Sequence, residues 1–289
     1  MKIFSGVIRF NSPTLRLLNS STVVAIAGGL RLNIAFLLAS AEIHISEYIA
    51  FTLIIYATYT LDRALDCKED IINKSEFIGA DGNTAILVCT IAFIAGTILL
   101  AMDGILLAPF FPFIVGYVYT RGIRVGRCHL RLKGGAGMKN FIIGVTWGGT
   151  IALIVSRWCN VAITVLVIFL FYTIKLFITS CINDFKDVRG DLAAGIRTLP
   201  VSLGERTTKE VLLLMNIVLH CIMIYAVFYR IIGNEWVILV YSLIINTSFL
   251  IVYSSSFEQC SQLFLRRMRW IVIYWESAIS LALRAGVAA

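Results

Sequence analysis

The sequence is poor in charge and in proline. Only 15% of its 289 residues are charged and four are proline, whereas roughly a quarter of an average soluble chain is charged. Together with 59% apolar residues and a mean hydropathy of +0.87, this excludes a water-soluble fold. Few prolines beside 12% aromatics argue against disorder or a fibrous repeat. No polar stretch is long enough to bury a second, soluble core. The three histidines, His44, His129 and His220, are scattered, and the seven cysteines include no CxxC pair. A histidine-based zinc or haem site is therefore unsupported, and the cysteines read as small apolar fillers. The formal charge of +8 imitates a nucleic-acid signal until the basic residues are located. They cluster in a few loops between apolar runs, so no nucleic-acid partner is expected.

What the chain does have is long apolar runs. Nine approach the ~20 residues that a bilayer-crossing helix needs: 20–39, 47–65, 84–102, 105–120, 139–156, 160–182, 209–229, 234–254 and 268–285. Strand-length alternation is missing, and a helical bundle is then the economical way to satisfy the backbone in lipid. The expected fold is all-α and polytopic, with about nine transmembrane helices in a single domain over 1–289. Only Asp103-Gly104 divides the third run from the fourth. Residues 1–19, with Lys2, Arg9 and Arg16, read as a basic amphipathic segment on the membrane surface. They lack the apolar core and small-residue cleavage site of a signal peptide. With the N-terminus in the cytoplasm, twenty of the 25 Lys and Arg residues fall on the cytoplasmic side, the orientation that the positive-inside rule selects.

The acids are patterned. TLDRALDCKED at the end of the second run places Asp62, Asp66 and Asp70 four apart, within an arc of ~80° if the helix continues. NDFKDVRGD at the end of the sixth places Asp184, Asp187 and Asp191 at steps of three and four, within ~60° on the same assumption. Six of the 17 acids thus form two stripes, both at the cytoplasmic face in this topology. Like charges so spaced destabilise a helix, more so at a membrane helix end. A divalent cation is a better compensator than the local Arg63, Lys186 and Arg189. All-oxygen ligands suit Mg2+, which commonly takes one or two carboxylates plus substrate phosphates. The stripes are separated by 122 residues at their first members and 121 at their last. This suggests two pseudo-repeated halves of four helices with a ninth appended.

NDFKDVRGDLAAGIRTLPVSLG resembles the second signature of the UbiA superfamily of intramembrane prenyltransferases: an acidic DxxDxxxD, then Ala-Gly, then Arg197-Thr198-Leu199-Pro200. The first signature of that family is usually NxxxDxxxD, and here Asp62 replaces the asparagine before Asp66 and Asp70. Asn73 and Lys74 fall where the family often has Asn and a basic residue, but SEFIGADG replaces its Pro- and Arg-rich stretch. RLKGGAGMKNFIIGVTWG is similar to the family segment after the fourth span, at Lys133 and Lys139-Asn140.

The resemblance implies an isoprenyl diphosphate donor bound through Mg2+ on the two acidic motifs, with its tail among the helices. It further implies release of pyrophosphate and capture of an allylic cation by a hydrophobic or aromatic acceptor. On this basis Asp62, Asp66 and Asp70 are expected to hold one metal ion and Asp184, Asp187 and Asp191 another. Asp66, Asp187 and Lys133 are the central catalytic candidates. Arg121, Arg124, Lys133 and Lys139 could clamp the diphosphate oxygens, while their simpler role is topology and anionic-lipid binding. Asn183 and Arg197 are further binding candidates. Arg31 and Lys175 lie inside spans, where cations mark a cavity or a pair. Lys175, about 13 Å and half a turn from Asp184, is expected to pair with another buried group or to snorkel.

The acceptor is open: an aromatic, quinone-type head group is favoured, with a phosphorylated glycerol ether as the alternative. A membrane terpene cyclase needs no acceptor and also fits. A cation-coupled transporter is the non-enzymatic reading, but it calls for acids at mid-span rather than at one membrane face.

Overall fold

The computed structural model describes residues 11–65, 77–121, 123–125, 128–130, 137–193, 195–254 and 259–288. Among them the protein is helical apart from one small hairpin. In chain order the elements are α1 (Ser12–Leu38), α2 (Ile45–Ala64), α3 (Gly82–Met102), α4 (Phe110–Arg121), β1 (Ile123–Val125), β2 (Cys128–Leu130), α5 (Met138–Val155), α6 (Ala162–Asp184), α7 (Val188–Ala193), α8 (Leu199–Phe228), α9 (Trp236–Val252), α10 (Gln259–Trp270) and α11 (Glu276–Ala288). A single π-helical turn, Ile271–Trp275, joins α10 to α11. The two strands pair antiparallel, with Ile123 opposite Leu130 and Arg124 opposite His129.

Among the described residues six helices are long and apolar enough to cross a membrane: α1, α3, α5, α6, α8 and the rod Leu263–Val287 made by α10, the π turn and α11. The chain is a multi-pass membrane protein. The expected count of nine is not confirmed. The fourth run yields only the 12-residue α4, and α9 has 17 residues. The second run is a full 20 residues, but α2 carries Glu47, Asp62 and Arg63.

Two compact units are present, Met1–Gly29 with His44–Lys133, and Leu30–Ile43 with Gly134–Ala289. In the first, the start of α1 buries Leu17 and Leu18 on Ala85 of α3, and Ala57 of α2 packs with Cys89 and Ala92. Asn11 caps α1 by accepting from the Thr14 backbone N–H at 2.9 Å, satisfying one of the amides that a helix start leaves orphaned. Thr14 Oγ1 in turn accepts from the Asp81 backbone N–H at 2.8 Å.

In the second unit, Ile178, Cys181 and Ile182 of α6 pack with Leu212, Phe249, Leu250, Leu265 and Val272. The closest approach is between α5 and α6. A Cβ on Gly144 would lie 2.4 Å from the Thr173 carbonyl oxygen, and one on Gly148 would lie 2.7 Å from the Thr173 nitrogen. Glycines four apart form a flat stripe on one helix face, which lets two backbones meet in lipid. This contact puts the start of α5 and the end of α6 side by side, and there the polar residues gather.

Candidate active site

The second acidic motif does not form one continuous helical stripe. α6 ends at Asp184, Phe185 caps it, and α7 begins at Val188. The turn between them is closed by the Asp187 backbone N–H donating to the Asp184 carbonyl at 2.9 Å. α7 ends at Ala193, and Gly195 takes a φ of 70°, a left-handed conformation that favours glycine. The chain turns back so that the Arg197 carbonyl accepts from Gly137 N–H, at the cap of α5, at 3.1 Å.

Lys139 and Asn140, in the first turn of α5, reach Asp184. Lys139 Nζ donates to Asp184 Oδ1 at 2.6 Å and lies 3.6 Å from Asp191 Oδ2. Asn140 Nδ2 donates to Asp184 Oδ2 at 2.6 Å and to Ser180 Oγ at 3.0 Å. Asp184 is 2% exposed and Asp191 1%. Asp191 Oδ2 and Asn140 Oδ1 are buried with no hydrogen-bond partner. Asp187 is more open, its side chain 16% exposed, with Lys186 Nζ 3.9 Å away.

Burial raises the Asp187 carboxyl above the ordinary carboxylate range, against the pull of Lys186, Lys139 and Arg269 and with a push from Asp184. Burial likewise raises Asp191 to about 6, with Lys139 opposing and Asp184 and Asp187 adding to the rise. Two carboxylates held partly out of water, one with a buried oxygen that makes no hydrogen bond and meets Lys139 only at 3.6 Å, call for a cation. An oxygen-only donor set suits a hard divalent ion. Among the described residues no three His, Cys, Asp or Glu side chains form a metal cage. The expected grouping of Asp184 with Asp187 and Asp191 around one ion is therefore not seen, because Asp184 is turned toward Lys139 and Asn140.

The other expected residues fall as follows. Asp62 is in the last turn of α2, which ends at Ala64, and Leu65 leaves helical geometry. Asp66, Asp70 and Lys133 lie outside the described residues. Arg121 closes α4 and Arg124 lies in β1. Asn183 is half-buried at the end of α6, where its carbonyl accepts from the Phe185 and Lys186 N–H groups. Arg197 is exposed, in the turn that leads into α8. Of the sequence candidates, the fold brings together Lys139, Asp184, Asp187 and Asp191.

Sequence reasoning missed Asn140 and Ser180 as partners of Asp184, and Arg269 as a charge felt by Asp187. Asn140 had a signal, since it follows Lys139 directly. Arg269 had none, because only the packing of α10 brings it near a motif eighty residues earlier.

Lys175 does pair with a buried group. Its Nζ lies 2.5 Å from Glu276 Oε1 and 2.5 Å from Ser242 Oγ. Arg31 Nη2 donates to the Ile273 carbonyl at 2.5 Å, inside the π turn, and Tyr172 donates its hydroxyl to the Arg31 carbonyl at 2.6 Å.

Comparison with known proteins places this arrangement. A UbiA homologue from Aeropyrum pernix K1 superposes with a TM-score of 0.66 at 10% identity, over 93% of this chain and 98% of that one. A UbiA homologue from Archaeoglobus fulgidus, bound to GPP and Mg2+, does so at 0.60 and 15% identity, over 94% and 99%. A digeranylgeranylglyceryl phosphate synthase does so at 0.58 and 18%, over 94% and 98%. Chloroplastic chlorophyll synthase of Arabidopsis thaliana is 33% identical over 86 residues, a match that spans 28% of this chain and 21% of that protein. The family model described as the UbiA prenyltransferase family matches residues 34–271, a stretch that includes both acidic motifs and the lysine held between the carboxylates. The chain belongs to the UbiA prenyltransferase family.

Proposed function

We propose that the protein is a Mg2+-dependent integral-membrane prenyltransferase. It moves a prenyl group from an isoprenyl diphosphate to a lipid-soluble acceptor and releases pyrophosphate at the cytoplasmic face. The observation that carries this is the half-buried lysine held between the buried Asp184 and Asp191, beside the more open Asp187, in a chain of this family.

Asp187 and Asp191 are the ligands of choice in the second motif: one is accessible, the other has a carboxylate oxygen that makes no hydrogen bond. Asp66 and Asp70 are proposed for the first motif from their match to its signature. Mg2+ held there supplies neutralisation of the charge that grows on the leaving diphosphate. Lys139 has three donors, of which Asp184 takes one; the other two suit non-bridging diphosphate oxygens. When the C1–O bond of the donor breaks, its electron pair leaves on pyrophosphate. The acceptor's nucleophilic atom then bonds to C1 and gives up its proton.

An aromatic, quinone-type head group remains the favoured acceptor. The local match to chlorophyll synthase supports a chlorophyll-class acceptor as a second reading. The test is pyrophosphate release by detergent-purified protein given geranyl, farnesyl or geranylgeranyl diphosphate, with Mg2+ or EDTA, and with or without a membrane-lipid extract. Release that needs both Mg2+ and extract is expected. Release without extract that yields a cyclic hydrocarbon would make the protein a cyclase. No release with any donor, from folded protein, would sink the enzymatic reading.

A further inference from the structure

Asp184 stands apart from the two acids that follow it. Both its oxygens are engaged at 2.6 Å, Oδ1 by Lys139 and Oδ2 by Asn140, and Asn140 is itself held by Ser180. It is the last residue of α6, before the chain breaks to form the turn that carries Asp187. Lys139 is bound unequally, at 2.6 Å to Asp184 but 3.6 Å from Asp191, and Asp191 Oδ2 makes no hydrogen bond.

We propose that Asp184 is a positioning residue for Lys139 rather than a metal ligand, and that Lys139 is the cation built into the site. The inference rests on the prenyltransferase reading and assigns a division of labour within it. A divalent ion arriving at Asp187 and Asp191 competes with Lys139 only for Asp191, where the lysine's hold is weak. It need not disturb the Lys139–Asp184 bond. Lys139 therefore stays in place with two free donors, fixed by Asp184 for the diphosphate. The arrangement also explains why a lysine is tolerated beside a cation site: its charge is already spent on a carboxylate that the metal does not use.

The two roles of Asp184 separate in a double-mutant cycle. Mn2+ affinity is read from the electron paramagnetic resonance signal of free Mn2+, and pyrophosphate affinity is read at saturating Mn2+, neither of which requires turnover. Lys139→Met should keep or raise Mn2+ affinity and lower pyrophosphate affinity by about 10–100-fold, the value of a lost charge-assisted hydrogen bond. Adding Asp184→Asn to Lys139→Met should then change both affinities by less than about threefold, because the lysine that Asp184 positions is already gone. Asp187→Asn in the same background should lose Mn2+ affinity by about tenfold or more.

If Asp184→Asn costs as much Mn2+ affinity as Asp187→Asn in that background, Asp184 is a ligand and the proposal falls. Lys139→Met alone leaves a buried carboxylate without its cation. Should that variant fail to fold, the double variant is compared with wild type. Mn2+ binding that is kept while pyrophosphate binding is lost supports the proposal; loss of Mn2+ binding overturns it. Wild-type protein that binds neither Mn2+ nor pyrophosphate would overturn the prenyltransferase reading itself, an outcome separate from either of these.

Discussion

Asp187 and Asp191 sit in a site that penalises their charge, and two outcomes follow at the scale of single residues. Asp187→Asn and Asp191→Asn should each lower Mg2+-dependent pyrophosphate release by about 100-fold or more, with folded protein retained, since charge stabilisation of the leaving group is the largest single effect available here. The raised Asp191 carboxyl, at about 6, has a signed consequence for stability. Its folded value exceeds its unfolded one, so the folded state holds the proton more tightly and stability falls as pH rises between them. In EDTA, wild type should therefore gain melting temperature relative to Asp191→Asn as pH falls from 7.5 to 5. Addition of Mg2+ at pH 7.5 should recover the difference. An unchanged gap between the two proteins across that range would show that Asp191 titrates normally.

The buried Lys175–Glu276 pair poses a different question, since it lies nine residues before Asp184 on α6 and shares no contact with it. Removal of one partner from such a pair costs about 3–5 kcal/mol, whereas replacement of both by apolar residues is often neutral. Lys175→Met and Glu276→Leu should each reduce the yield of folded protein sharply. The double variant should recover most of it, as measured by detergent gel filtration after heating. A double variant as poor as the singles would mean that the pair has a role beyond mutual neutralisation.

Among the elements, the packing of α5 against α6 decides where Lys139 and Asn140 stand. Gly144 and Gly148 admit the Thr173 backbone at distances no side chain allows. Gly144→Leu should push the helices apart at a cost of about 1–3 kcal/mol or more and pull Lys139 away from Asp184. The expected result is a lower melting temperature together with weaker pyrophosphate binding in whatever folds. At the other end of the unit, the π turn Ile271–Trp275 adds a residue to the last span, and Arg31 serves the Ile273 carbonyl there. π turns occur often at functional sites; here the turn sets the register in which Glu276 meets Lys175.

Across the whole molecule, the distribution of basic residues predicts an orientation that labelling can test. A membrane-impermeant maleimide should label a lone cysteine placed at Arg230 in intact cells. One placed at Arg206, whose side chain is exposed, should be labelled only after permeabilisation. The opposite pattern would put the acidic motifs outside the cell and reverse the topology drawn from the positive-inside rule.

Long apolar runs determined the helical membrane fold by themselves, because lipid leaves the backbone no other partners. The motif around Asp184, Asp187 and Asp191 was legible as well, since carboxylates at a membrane helix end are too costly to be incidental. The sequence could not show that the helix stops at Asp184. Periodicity assumes continuous rotation, and the turn at Phe185 and the left-handed Gly195 break it. Nor could it show that Lys139 and Asn140 belong to Asp184, or that Arg269 is felt by Asp187, because those partners come from helices far away in the chain. Their meeting depends on two glycines that let α5 and α6 touch and on the way α10 packs. Residue types fix what chemistry is available; only tertiary packing decides which of three similar carboxylates is bound to the lysine.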